Sequence, residues 1–338
     1  MDWFERLMGF REDGYEATRR RLEVDGPRLR SSVNGHTYGI GAFELASVQT
    51  LRERTLAAGG LPGRLKVSLV QGDVGRLHQR PEFAGALFQV ASQFNTLEMV
   101  GPEVSPEDGV TRYQHDATQG PACAIAAGAA TIYRNYFVPV GDGYGQTRTR
   151  QLDGLAALGD ALADALAMPV ADLWAMRNGY ALCTLDGLEA IARLLAASTP
   201  EAIDTLRARL CIGLHHGVEV TTAEGPNRPV VSQAFCSALP MGYYDRAPGA
   251  PWQPFASLVL EAAYEATLWA AVGNAQRGGS RVVLLTRLGG GAFGNDDAWI
   301  DAAMWRALRL AVGLALDVRL VSYSAPGEAL RRMAQAFD

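Results

Sequence analysis

Between Gln93 and Gln119 the sequence crowds amides, acids and hydroxyls into one short stretch: Gln93, Asn95 and Glu98, then Glu107, Asp108, Tyr113, Asp116, Thr118 and Gln119. The stretch lies between a strand-like run and a very apolar segment, where polar side chains are expensive to desolvate for packing alone. Carboxylates held near one another have their pKa values pushed apart. They are then suited to orient water, take its proton and stabilise an oxocarbenium-like sugar. Local capping and turn chemistry is the plainer reading for Asp108, which precedes Gly109, and for Thr118.

A second candidate is the run Gly289-Gly290-Gly291-Ala292-Phe293-Gly294-Asn295, between an apolar strand and a helix beginning near Asp296. Consecutive glycines let backbone N–H groups turn toward one point and the helix N-terminus adds its dipole, so a phosphate or pyrophosphate is the natural ligand. Gly289, Gly291 and Gly294 satisfy G-x-G-x-x-G, but too little chain follows for the remaining units of a dinucleotide-binding fold. Asp296, Asp297 and Asp301 fall in the first turn of the following helix, where acids favour the dipole without catalysis. His215 and His216 sit in a strand-like run and point to opposite faces, which favours structural roles. Trp299, Trp305 and the pair Tyr243-Tyr244 could stack on a base, but aromatics on apolar helix faces are more often core, and no role is assigned to them.

The whole chain narrows the classes further. Its 338 residues are 48% hydrophobic and 20% charged, the balance of a folded chain with a sizeable core. A net charge of -5 gives no field to hold a nucleic acid or an anionic membrane, so neither is an expected partner. Cys123, Cys183, Cys211 and Cys236 lie far apart, without zinc-site or disulfide-framework spacing, and no metal or cofactor is expected. The one lysine, Lys66, is followed by Val67 and cannot complete a Walker A loop; G-x-S-x-G and H-E-x-x-H are also absent. With no apolar leader at Met1–Asp13, the expected location is cytoplasmic, or that of a secreted effector without a recognisable signal peptide.

The elements that must position these residues alternate between strand and helix, hence an α/β fold. Helices are expected over Trp3–Leu22 and Phe43–Ala58, before a break at 59–63. Strands follow at Arg64–Gln71 and Gly85–Ser92, then a buried helix over Pro121–Ile132 with Gly120 and Pro121 in its first turn. Leu152–Leu166 and Leu185–Leu210 read as amphipathic helices flanking Leu173–Thr184, whose type is open. Strands Leu210–Thr221 and Pro229–Leu239, helix Pro254–Ala275, strand Arg281–Leu288, helix Ala298–Leu314 and strand Val318–Tyr323 complete the chain.

Two phosphate-loop candidates in this order, with Val70-Gln71-Gly72-Asp73 ending an early strand, resemble the macrodomain fold, whose members bind ADP-ribose. LTRLGGGAFGNDDAWI is similar to the second phosphate loop of poly(ADP-ribose) glycohydrolases. SQFNTLE, with DGVTRYQHDATQGPACAIAAG following, resembles the MavL-like class of arginine-specific macrodomain hydrolases. The helix QGPACAIAAGAA lacks the Glu-Glu pair of the glycohydrolases, and Gln93-Phe94-Asn95-Thr96 replaces the usual N-A-A-N. Both departures favour the arginine-specific class. The resemblance implies Asp73 toward adenine, Asn95 toward the distal ribose, Gly289 to Asn295 along the pyrophosphate, and Asp108 and Asp116 as catalytic acids.

The resulting expectation is a three-layer macrodomain-like α/β core with a mixed sheet over 64–338, a helical insertion at about 151–210 and an N-terminal helical extension over 1–63. Its activity is removal of mono-ADP-ribose from modified arginine on a protein substrate. Asp116 serves the ribose and attacking water and Asp108 the guanidinium, with Glu98 and Glu107 in reserve. Gln93, Thr118, Gln119 and Gly120 complete the expected ADP-ribose site. The alternatives are a reader that binds ADP-ribose without cleaving it, and an enzyme processing free NAD-derived nucleotides.

Overall fold

The computed structural model describes residues 1–243 and 250–337. Two short helices, α1 (Trp3–Met8) and α2 (Tyr15–Arg19), lead into an antiparallel sheet of β1 (Leu22–Asp25), β2 (Arg28–Ser31) and β3 (Thr37–Gly39). β4 (Ala42–Ser47) enters the main sheet, and Ser47 then caps α3 (Val48–Ala57), its hydroxyl accepting from Thr50 N–H at 3.0 Å. The N-terminal segment is therefore not a purely helical extension. The helix expected over Phe43–Ala58 begins as a strand because β4 finds a partner across the sheet, and pairing overrides local propensity.

The chain continues through β5 (Lys66–Gln71), α4 (Val74–Leu77), β6 (Leu87–Ala91), α5 (Gln119–Ala126), α6 (Gly128–Tyr136) and a small hairpin, β7 (Pro139–Val140) with β8 (Gly143–Tyr144). The helix expected as one over Pro121–Ile132 breaks at Ala127, where φ is -112° and ψ 56°. The region around 151–210 holds α7 (Ala156–Leu166), α8 (Val170–Leu173), the hairpin β9 (Trp174–Arg177) and β10 (Tyr180–Cys183), α9 (Leu185–Ala197) and α10 (Pro200–Arg207). Pro200 splits what periodicity read as one long helix, since it supplies no N–H inside a helix but fits a first turn, here capped by Thr199. Then come β11 (Cys211–Glu219), β12 (Val230–Cys236), α11 (Trp252–Gln276), β13 (Val282–Leu285), α12 (Asp297–Leu310), β14 (Asp317–Ser322) and α13 (Glu328–Ala336).

The main sheet has seven strands in the order β4-β11-β12-β6-β13-β14-β5. β11 pairs antiparallel with both neighbours, while the ladders from β12 to β5 are parallel, so the sheet is mixed. Alternate residues of the strands serve two cores. Leu87, Ala234, Val283 and Leu285 pack with α11 and α12, whereas Phe88, Phe235 and Leu284 pack with residues of α4, α5 and α6. This is the three-layer α/β arrangement. α11 is long and apolar enough to cross a membrane by length and composition, yet it lies in the core between sheet and helices. A third cluster joins Trp3, Phe4, Leu7, Leu29 and Tyr38 to Leu97, Met99, Val110 and Tyr113, tying the N-terminal segment to the stretch that follows β6.

Candidate functional site

Parallel strands deliver their carboxyl ends to one edge of the sheet, where the connecting loops leave a crevice. Here the loops after β6, β12 and β13, with the N-terminus of α5, enclose a cleft of about 680 Å³ including its solvent-open part. Its lining includes Ser92, Gln93, Glu98, Asp116, Thr118, Gln119, Gly120, Tyr180, Tyr243, Arg287, Gly289, Gly291, Ala292 and Phe293. Thr118, Gln119 and Arg287 also line an adjoining compartment bounded by Gly72, Asp73, Ser322 and Tyr323. The two polar stretches singled out in the sequence thus meet across one cleft.

The floor of the cleft depends on close backbone approach. A Cβ at Gly120 would lie 2.2 Å from the Ala91 carbonyl oxygen, so only glycine lets the first turn of α5 seat against the end of β6. Gln119 fastens that contact: its Oε1 accepts from Ala91 N–H at 2.7 Å and its Nε2 donates to the Gln89 carbonyl at 2.8 Å. The free N–H groups and dipole of this first turn favour a negative ligand. Opposite it, the glycine loop closes on itself, Asn295 N–H donating to the Gly289 carbonyl at 3.0 Å and Gly294 N–H to that of Gly291 at 3.0 Å. Gly289 and Gly294 hold positive φ of 78° and 72°.

Glu98 is the most unusual group in the cleft. It is 3% exposed, and neither carboxyl oxygen has a hydrogen-bond partner. Burial pushes its carboxyl up to about 8, against the lowering pull of the Arg134 guanidinium and the Tyr113 hydroxyl, and the Asp116 carboxylate adds to the rise. Arg134 is itself wholly buried. Its Nη2 stands 3.9 Å from Glu98 Oε1 and donates to Thr131 Oγ1, while Nε reaches the Thr96 carbonyl and Nη1 meets His215 Nδ1. The Tyr113 hydroxyl accepts from Glu98 N–H at 3.0 Å, fixing the backbone that carries the acid. A neutral-leaning carboxyl without a hydrogen-bond partner in a cleft is the arrangement expected of a proton donor.

The remaining candidates divide. Asp116 lines the cleft, with Oδ1 accepting from Thr118 N–H at 2.9 Å. Asp73 caps α4, accepting from Arg76 N–H at 2.9 Å, and faces the adjoining compartment. Gln93 lines the cleft while its Oε1 accepts from Met99 N–H. Gly289, Gly291, Ala292 and Phe293 line it too, whereas Gly290 and Gly294 shape the loop without doing so.

Four expected site residues are placed elsewhere. Asp108 is exposed and forms a capping box with Ser105, whose N–H and hydroxyl donate to its Oδ2 at 2.8 and 2.9 Å. Burial raises its carboxyl, but those donors together with Arg112 and Arg148 hold it below the usual range. Glu107 is exposed beside Arg148 at 3.8 Å. Asn95 is wholly buried, its amide spent on Leu97 N–H and Gln151 Oε1. Asn295 likewise turns inward, donating to the carbonyls of Leu239 and Gly289, so it braces the glycine loop and does not face the cleft.

Two residues escaped the sequence reading. Tyr180 reaches the cleft on the β9–β10 hairpin and meets Tyr243 and Phe293 at centroid distances of 5.0 and 5.5 Å; Tyr244, paired with Tyr243 in the sequence, lies outside the described residues. Arg287 stands at the junction of the two compartments, gripped by Asp297 at 2.8 Å and Asp301 at 2.9 Å, while Asp296 caps α12. The acids read as capping residues thus also orient a cation. His215 is buried against Arg134 and His216 pairs with Glu44, on opposite faces of β11 as expected. Among the described residues no group of three or more His, Cys, Asp or Glu side chains is arranged to hold a metal ion.

No family model matches the chain, and no curated protein is detectably similar to it. Solved structures that resemble it are bacterial poly(ADP-ribose) glycohydrolases. That from Thermomonospora curvata is 15% identical, with 95% of this chain and 94% of the other covered and a TM-score of 0.42. That from Deinococcus radiodurans, solved in complex with ADP-ribose, is 14% identical, with 97% and 99% covered and a TM-score of 0.45.

Proposed function

We propose that the chain is an ADP-ribosyl hydrolase that releases mono-ADP-ribose from modified arginine by cleaving the N-glycosidic bond. The observation that carries this reading is the Glu98 carboxyl, buried without a hydrogen-bond partner in a cleft whose opposite wall is a glycine loop. The glycine loop, the first turn of α5 and Arg287 supply backbone donors, a helix dipole and a positive charge for a pyrophosphate. Asp73 and Tyr323 bound the compartment where an adenosine end fits. The sequence resemblance to arginine-specific macrodomain hydrolases supports the same ligand and the same linkage.

Water attacks the anomeric carbon of the ribose next to arginine, and the carbon–nitrogen bond breaks with its electron pair going to nitrogen. Glu98, neutral at pH 7, delivers its proton to the leaving guanidino group, which departs as an arginine cation. Asp116 accepts the proton of the attacking water. Exchange with solvent returns one proton to Glu98 and removes one from Asp116. Asp108, displaced to the surface, has no part in this scheme, so guanidinium recognition falls to Asp116 and the cleft walls.

The test is a screen of peptides carrying ADP-ribose through arginine, serine or glutamate, with release of free ADP-ribose measured. Turnover confined to the arginine linkage supports the proposal. Tight ADP-ribose binding with no release from any of them would leave a reader, and release from another linkage alone would overturn the arginine assignment.

A further inference from the structure

We propose that Glu12, on the N-terminal segment, is a positioning residue for the loop that carries the catalytic acids; the inference rests on the assignment of Glu98 and Asp116 above. The Glu12 carboxylate reaches across the fold to the loop between β6 and α5. Its Oε1 accepts from Val110 N–H at 2.9 Å and from the Tyr136 hydroxyl at 2.7 Å, and its Oε2 accepts from Thr111 N–H at 2.6 Å. A second strap joins the same place: the Trp3 indole N–H donates to the Thr111 carbonyl at 3.1 Å.

The gripped residues open a short 3-10 helix over Thr111–His115. Its first N–H groups lack internal partners, and a carboxylate that takes two of them fixes the helix by charge-assisted bonds. Gly109 makes the approach possible, because a Cβ there would lie 2.5 Å from the Glu12 carboxyl and its φ of 79° already demands glycine.

From this anchor the connection to both acids is short. Tyr113 N–H donates to the Val110 carbonyl, and the Tyr113 hydroxyl in turn accepts from Glu98 N–H. Asp116 N–H donates to the Tyr113 carbonyl at 3.1 Å, and the Asp116 side chain then sets the turn into α5. The apolar cluster runs the same way, with Trp3 and Phe4 packed in one body with Leu97, Val110 and Tyr113. The glycine loop is absent from that cluster, so disturbing Glu12 acts on the acids and spares the pyrophosphate wall.

The experiment uses the full chain with Glu12→Ala and the milder Glu12→Gln, whose amide nitrogen would face one of the backbone donors. Three readouts are taken: kcat and KM on ADP-ribosyl-arginine peptide, affinity for free ADP-ribose, and hydrogen exchange of peptides covering 109–118 and 288–295. We expect kcat to fall by about 10²-fold in Glu12→Ala and less in Glu12→Gln, as sub-ångström to ångström misplacement implies. KM and ADP-ribose affinity stay within about twofold, since no Glu12 atom borders the cleft. Exchange over 109–118 accelerates by about tenfold or more, and that over 288–295 is unchanged.

Unchanged kcat in both variants overturns the proposal. So does a uniform rise in exchange with an equal loss of ADP-ribose binding, which marks general unfolding. If the parent protein releases no ADP-ribose, the proposed activity fails, and hydrogen exchange decides the role of Glu12 alone: local deprotection of 109–118 supports it and unchanged protection there refutes it.

Discussion

Replacing Glu98 by glutamine should stabilise the protein by an amount that grows with pH. The folded carboxyl is pushed up by burial to about 8 from an ordinary 4.5. Below pH 4.5 it is neutral in both folded and unfolded chains and costs nothing through ionisation. Between 4.5 and 8 the unfolded chain ionises while the folded one does not, so stability falls as pH rises, by about 1.36 kcal/mol per unit. From pH 5 to pH 8 the loss is on the order of 4 kcal/mol; above the folded pKa it levels off. Glutamine cannot ionise, and the cost of burying its amide without a partner is the same at every pH. Urea unfolding of parent and Glu98→Gln at pH 5, 6, 7 and 8 isolates the term, because titrating groups that do not interact with Glu98 cancel in the difference. The stability difference should move in favour of the variant by about 4 kcal/mol across this range, a large share of the 5–15 kcal/mol typical of a folded domain. Parallel stability curves would show that Glu98 ionises normally and would remove the physical basis for calling it an acid in the cleft.

Other outcomes follow from the same geometry. Asp116→Asn should lower turnover by about 10² to 10⁴ while leaving ADP-ribose affinity within about twofold, measured by kinetics and calorimetry. Asp108→Ala should keep turnover and lose about 1 kcal/mol of stability in urea, the effect of deleting a cap. Gly291→Leu should fold normally, since nothing lies within 4 Å of its Cβ position, and weaken ADP-ribose binding by about tenfold or more through occupation of the cleft. Because the working form of Glu98 is protonated, kcat/KM should fall as pH rises through about 8, a limb absent from any residual activity of Glu98→Gln.

What the sequence made legible was the local physics. The glycine run, the Gly120-Pro121 helix start and the alternation of strands and helices depend on neighbouring residues, and the fold realises all three. Asp108, expected at the guanidinium, carried a contrary local signal: a serine three residues before an acid, ahead of a short helix, is a capping pattern, and the capping box at Ser105 is what formed. The β9–β10 hairpin carried a signal that the reading left open. Asn178-Gly179 is a strong two-residue hairpin turn, both residues have positive φ, and Arg177 pairs with Tyr180 across it; that turn delivers Tyr180 to the cleft.

Other features were hidden by distance along the chain. β4 reads as helix until β11, far along the sequence, supplies its ladder. Asn95 sits beside Glu98 in a polar run, and nothing local says that Gln151 will absorb its amide while the Glu98 carboxyl is left without a hydrogen-bond partner. The rank of the acids was therefore set by Tyr113, Arg134 and the N-terminal segment rather than by the spacing between them.

We propose that a neutral Glu98, set against a glycine-loop pyrophosphate site, drives hydrolysis of an ADP-ribosyl–arginine bond. The direct measurement is single-turnover release of ADP-ribose from an arginine-linked peptide at pH 7 by parent and Glu98→Gln, with ADP-ribose affinity of both measured by calorimetry. The expected result is release by the parent, a drop of about 10² to 10⁴ in the variant, and affinities within about twofold of each other. Release at equal rates by the two proteins, or none by a parent that binds ADP-ribose tightly, would contradict it.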